Sequence, residues 1–128
     1  MATPQESSGA AAHIDTDLYS RQIGAFGLET MGKLITLRVL ISGMRGVGAE
    51  CAKNLILAGP NTVVLHDPAP CEMRDLGSNF CLTEEHVKKG VSRAEASKNY
   101  LAELNQYVTV DVLPDEKLTQ VRKKSQTF

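Results

Sequence analysis

Three glycines in the spacing G-x-x-G-x-G, Gly43, Gly46 and Gly48, follow the aliphatic run Leu37-Arg38-Val39-Leu40-Ile41-Ser42 and lead into the helical stretch AECAKNLILA. A strand, a glycine turn and a helix N-terminus in that order present free backbone N–H groups at the strand end, where they attract an anion such as a phosphate. Asp67 closes a second aliphatic run, Thr62-Val63-Val64-Leu65-His66. It stands near the place where an acidic residue hydrogen-bonds a ribose in dinucleotide-binding folds. Two features depart from that pattern. The spacing is not G-x-G-x-x-G, and Arg45 puts a long side chain into the turn, where it either pairs with a phosphate or fills the space a nucleotide needs. The same glycines also suit a tight turn with close helix–strand packing, and their number does not separate the two uses.

Other reactive side chains are sparse. Cys51, Cys71 and Cys81 are odd in number, none at C-x-x-C spacing, and no secretory start is visible. A reduced compartment follows, with a soluble cytoplasmic and nuclear protein as the expectation. Cys51 is expected on the core face of the glycine-turn helix. Cys71 and Cys81 flank a loop with no basic partner in sequence, so no cysteine is expected to act as a nucleophile. His13, His66 and His86 lie too far apart to form a metal site with them, and no metal is expected. The chain has 128 residues, 14 Lys and Arg against 15 Asp and Glu, 5% aromatic residues and no Trp. That balance argues against nucleic acid as a partner, which needs a basic excess or a stacking surface. No apolar run reaches the roughly 18 residues that a membrane helix needs.

The elements that would position these residues follow from periodicity. Residues 1–13 read as a disordered tail. Residues 15–35 read as helical in two pieces, with Asp15, Thr16 and Asp17 as caps and Gly24 and Gly27 between the pieces. Val47, Cys51, Leu55 and Ala58, with Ala52 and Ile56 beside them on the same face, give the glycine-turn helix an apolar stripe, and Gly59-Pro60 stops it. After the second strand, residues 68–82 read as loop and Thr83 as the start of a short helical turn. Ser92 with Glu95 forms a capping box for a helix reaching about Asn105. Tyr107 to Val112 suggests a third strand. After Pro114 the chain turns polar and basic, with no further hydrophobic element. The fold class is α/β, a Rossmann-like parallel sheet with flanking helices truncated after about three strands. The last strand is expected to leave an open apolar edge, and the chain to be poorly stable unless a partner covers it.

Several of these stretches, in order, carry a resemblance. Leu18-Tyr19-Ser20-Arg21-Gln22-Ile23, Val39 through Glu50, Ala52-Lys53-Asn54-Leu55-Ile56-Leu57-Ala58-Gly59, Leu65-His66-Asp67 and Leu101-Ala102-Glu103-Leu104-Asn105 resemble the N-terminal part of eukaryotic ubiquitin-activating enzymes. The resemblance covers about residues 14–113, leaving 114–128 as a tail or the start of a missing half. It implies a ThiF-like adenylation half. In that family one half binds ATP and Mg2+ and adenylates the C-terminus of ubiquitin or a ubiquitin-like modifier. A degenerate half supports it, and a cysteine domain elsewhere takes the modifier as a thioester.

Active halves carry S-N-L-x-R-Q after the second strand. Here the segment is Arg74-Asp75-Leu76-Gly77-Ser78-Asn79, which puts Asp75 at the Asn, Ser78 at the Arg and Asn79 at the Gln. Arg93 stands for a phosphate-binding lysine. The resemblance therefore implies the degenerate half, with Gly43, Gly46, Gly48 and Asp67 as remnants of a nucleotide site and no cofactor held by this piece alone. It also implies that Arg21 reaches the ATP phosphates of the partner half, as an arginine finger does. Tyr19 and Gln22 would position its helix. Expected partners are the active adenylation half, in the same enzyme or on another subunit, and the modifier. The alternatives are a non-catalytic scaffold subunit of a heterodimeric activating enzyme and a free-standing dinucleotide-binding domain.

Overall fold

The computed structural model describes residues 14–125; the N-terminal tail expectation over 1–13 lies outside them, apart from which the chain alternates helix and strand. Helix α1 (Ser20–Phe26) and helix α2 (Leu28–Leu34) meet at Gly27. The break falls there because Gly27 has φ +84°, a conformation glycine adopts without strain, whereas Gly24 stays within α1. Asp15 Oδ1 caps the entry by accepting from the Asp17 and Leu18 N–H groups.

Strands β1 (Arg38–Ser42), β2 (Thr62–His66) and β3 (Thr109–Val112) form one parallel sheet in the order β1-β2-β3. Helix α3 (Gly46–Ala58) connects the first two strands. A 3-10 turn (Met73–Gly77), helix α4 (Glu84–Lys89) and helix α5 (Arg93–Glu103) connect the next two. Gly59 ends α3 in the left-handed conformation, its N–H returning to the Leu55 and Ile56 carbonyls. Ser92 Oγ accepts from Glu95 N and caps α5.

Alternation along β2 turns Val63 and Leu65 to one face, where they meet Ala49, Ala52 and Ile56 of α3 and Ala94 and Leu101 of α5. All seven are 1% exposed or less. Full burial of each larger aliphatic side chain stabilises by about 1.5–3 kcal/mol, which makes this layer the centre of the fold.

Three expectations are corrected. Ala52 and Ile56 of the expected α3 face are in the core with Ala49, and Leu55 packs against it, but Val47 is 80% exposed and Cys51 is exposed. Apart from Glu50, Lys53 and Asn54 the helix is small or apolar, so periodicity alone does not single out one inward stripe. Second, the chain after Pro114 continues into helix α6 (Asp115–Ser125). Hydrogen bonds join His66 Nδ1 to Ser42 Oγ (2.8 Å) and His66 Nε2 to Asp115 Oδ1 (2.9 Å), tying its first turn to the sheet. Third, the open edge is not on the last strand alone. β1 is the opposite edge, its side chains alternate between exposed and half-buried, and Leu40 is among the exposed ones.

Candidate functional site

Gly43, Gly48 and Asp67 come together at the C-terminal ends of β1 and β2, while Gly46 faces Ser78 instead. Gly43, Gly48 and Asp67 line a cleft of about 410 Å³ with Ile41, Ser42, Arg45, Val47 and Cys51. Gly43 has φ +102°, and its N–H bonds the His66 carbonyl, which ends β1. A Cβ on Gly48 would fall on the Gly43 carbonyl oxygen, and one on Gly46 would lie 2.8 Å from Ser78 Cβ. These two glycines are therefore required by packing of the turn against itself and against the segment after the second strand. Gly48→Ala is expected to destabilise the fold by about 1–3 kcal/mol, more than Gly46→Ala, because a backbone oxygen yields less readily than a serine side chain. Urea denaturation without any ligand measures both. Equal, negligible losses would leave the glycines without this packing role.

Asp67 is likewise engaged by the chain itself. Its Oδ2 accepts from Met44 N (2.9 Å) and its Oδ1 from Ala69 N (3.2 Å). Asn79, fully buried, donates to the Met44 carbonyl (2.7 Å) and to Ser97 Oγ (3.2 Å). Both sides of Met44 are thus held. Asn79 was legible only as one position of a changed motif; its grip on the turn was not.

Behind the turn lies a buried charge cluster. Arg93 is 3% exposed and donates through Nε to Asp75 Oδ2 (2.7 Å), and Asp75 is also 3% exposed. Arg93 Nη1 lies 3.6 Å from Asp67 Oδ1, and Nη2 lies 3.5 Å from Glu72 Oε1. Burial works to raise the Asp75 pKa, but the Arg93 hydrogen bond, the Glu72 N–H and the guanidinium charge outweigh it and hold the carboxyl below its ordinary range. The cation aligned with a phosphate-binding lysine is therefore spent on carboxylates. Arg93 and Asp75 lie behind the cleft rather than in its lining, where Asp67 supplies the carboxylate. Arg45 stands exposed at its rim.

Burial pushes the Cys81 thiol up to about 11, and burial together with the Asp75 charge raises that of Cys71. Neither forms a ready thiolate. Among the described residues no group of three or more His, Cys, Asp or Glu side chains could hold a metal ion, and no helix is long and apolar enough to cross a membrane.

Arg21 is not part of this cleft. It lies exposed on α1, and Gln22 Nε2 beside it donates to the Ala58 carbonyl at the far end of α3. At 1.5 Å per residue, α3 separates Arg21 from the glycine turn by roughly 18 Å.

The ThiF family profile matches residues 19–126, from the start of α1 through α6. This chain belongs to the ThiF family. The match extends beyond residue 113, so α6 falls within the family region. Two curated relatives are similar over most of the chain. Ubiquitin-activating enzyme E1 2 of Arabidopsis thaliana is 54% identical over 100 residues, 78% of this chain and 9% of the relative. Ubiquitin-like modifier-activating enzyme 1 of Homo sapiens is 50% identical over 103 residues, 80% of this chain and 10% of the relative. The chain thus spans about a tenth of the length of these relatives.

Solved ThiF-like folds align as well. E. coli tRNA N6-threonylcarbamoyladenosine dehydratase, solved with ATP, superposes with a TM-score of 0.73 at 16% identity, over 89% of this chain and 48% of that one. E. coli MccB superposes with a TM-score of 0.70 at 23% identity, over 84% of this chain and 34% of that one. At such identities the likeness concerns the fold: three parallel strands with the flanking helices of the ThiF architecture.

Proposed function

We propose that this ThiF-family chain is the supporting, degenerate adenylation half of an enzyme that activates ubiquitin or a ubiquitin-like modifier. It would contribute Arg21 and an interface to an active half that binds ATP and Mg2+. The observation that carries this reading is the commitment of Arg93 to Asp75, Asp67 and Glu72. A site whose buried cation is already neutralised by three carboxylates has little left to stabilise charge developing on a phosphate. Two further observations support it. Arg21 stands exposed about a helix length from its own turn, so it suits a neighbouring site better than this one. The outer stripe of α3, with Val47 80% exposed beside Cys51 and Leu55, is an apolar surface of the kind that packs on a sister domain.

The relatives' printed names make ubiquitin or a relative of it the proposed substrate. The test is modifier-dependent ATP–pyrophosphate exchange by the full-length enzyme carrying this segment, with Arg21 intact or replaced by Ala, beside ATP binding by the present chain alone. Loss of exchange in the variant and no ATP binding by the chain are expected. Micromolar ATP binding by the chain would overturn the degenerate reading, and unchanged exchange would overturn the role of Arg21.

A further inference from the structure

The arm that carries Arg21 is a helix of seven residues, too short to hold together in water on its own. Its order must come from what it docks on. One residue of the arm is deeply buried: Tyr19, 4% exposed, at the N-cap of α1. Its ring lies over Gly59, where an added Cβ would meet the Tyr19 hydroxyl at 2.5 Å, so only glycine leaves room for it. The Tyr19 hydroxyl accepts a hydrogen bond from Asn105 Nδ2 (2.6 Å), 86 residues later in the chain.

Asn105 is itself buried and bonded on every side. Nδ2 also donates to the Ile56 carbonyl (2.9 Å), and Oδ1 accepts from Tyr107 N (3.0 Å). Its amide joins three parts of the fold: the arm, the last turn of α3 and the turn into β3. A second tie runs the same way, with Tyr107 Oη donating to Asp15 Oδ2 (2.8 Å). Tyr19, Gln22 and Ile23 stand at positions i, i+3 and i+4 and make the docked side of α1. Arg21 is thereby turned to the opposite, exposed side.

We propose that Asn105, acting through Tyr19, is a positioning residue for Arg21: it clamps the arm to the end of α3 and fixes where the guanidinium points. This rests on the reading that Arg21 serves a neighbouring ATP site. It assigns no contact between Asn105 and any substrate.

Two measurements test it. In the present chain, native-state hydrogen exchange compares the α1 amides of Ile23 and Gly27, bonded to the Tyr19 and Ile23 carbonyls, with the sheet-end amides of Gly43 and Leu113. Tyr19→Phe keeps the ring over Gly59 and removes only the hydroxyl. It is expected to speed exchange of the α1 amides about tenfold, the worth of one buried hydrogen bond, with the sheet-end amides unchanged. Asn105→Ala should do the same more strongly where it folds. Acceleration of both sets together, or of neither, would overturn the clamp.

In the full-length enzyme, Tyr19→Phe is expected to lower kcat for ATP–pyrophosphate exchange about tenfold with little change in the KM for ATP, and to have no further effect once Arg21 is Ala. Additive effects of the two substitutions overturn the positioning role while leaving the role of Arg21 intact. An Arg21→Ala variant with full exchange overturns the functional reading and the positioning role with it, while hydrogen exchange still decides whether the clamp exists.

Discussion

Replacing Arg93 by Met is expected to destabilise this domain by about 3–5 kcal/mol at neutral pH, the usual consequence of removing one partner from a buried ion pair. Methionine nearly fills the volume but leaves Asp75 buried without its 2.7 Å hydrogen bond and close to Asp67 and Glu72. Replacing both partners, as Arg93→Met with Asp75→Asn, should recover part of the loss, since the most buried unpaired charge is removed and Asp67 keeps its bonds from the Met44 and Ala69 N–H groups. Linkage sets how the effect varies with pH. In the native chain Asp75 titrates below its ordinary range. The pair therefore stabilises fully above the ordinary carboxylate pKa, and that contribution is lost as pH falls through the lower folded value. In Arg93→Met, burial acts on Asp75 with only the Glu72 N–H and the Arg45 charge left to oppose it, so its pKa rises above the native value and acid relieves the variant. The gap between native and variant should narrow as pH drops from 7 towards 4. Urea denaturation at several pH values checks this. A loss below about 1 kcal/mol, or a gap that widens in acid, would show that the cluster is not an ion pair holding the turn.

The same cluster shows what the sequence could and could not disclose. The order of strands and helices was legible because each signal is local: aliphatic runs that end in glycine or aspartate, Gly59-Pro60 after α3, Ser92 ahead of α5. The glycine turn and Asp67 were legible as neighbours because a strand–turn–helix–strand order brings two consecutive strand ends together. The partner of Asp75 was not, since Arg93 stands 18 positions later, beyond α4, and no period links them. The inward side of α3 was legible in Ala52 and Ile56 but not in Val47 and Cys51, because most residues of that helix are small or apolar. Helix α6 was legible only as an open choice between a tail and the start of a further element, because its composition is that of a solvated segment. A tertiary hydrogen bond from His66 to Asp115 secures it. Asn105 was quoted within the run Leu101–Asn105, yet its long-range tie to Tyr19 has no sequence signature at all.

If the full-length protein is the activating enzyme proposed above, replacing Arg21 by Ala in it is expected to lower ATP–pyrophosphate exchange by about 10³-fold, the lower end of what arginine fingers supply in phosphoryl chemistry. The size follows from what the side chain would do on the proposed reading. A guanidinium supplied by a neighbouring domain brings a fixed positive charge and a planar set of donors to phosphate oxygens, in a site from which water is excluded. Arg21→Lys should restore part of the loss, since it keeps the charge but not the forked geometry. Because Arg21 is exposed and none of the hydrogen bonds or ion pairs described for this chain uses its side chain, the stability of the present chain should change by less than about 0.5 kcal/mol in either variant. This separates a catalytic contribution from a folding one, which the Tyr19 and Asn105 variants do not do on stability alone. Full exchange in Arg21→Ala would remove the arm from the active site. A large drop in stability instead would make Arg21 a structural residue whose partner lies beyond the contacts seen here.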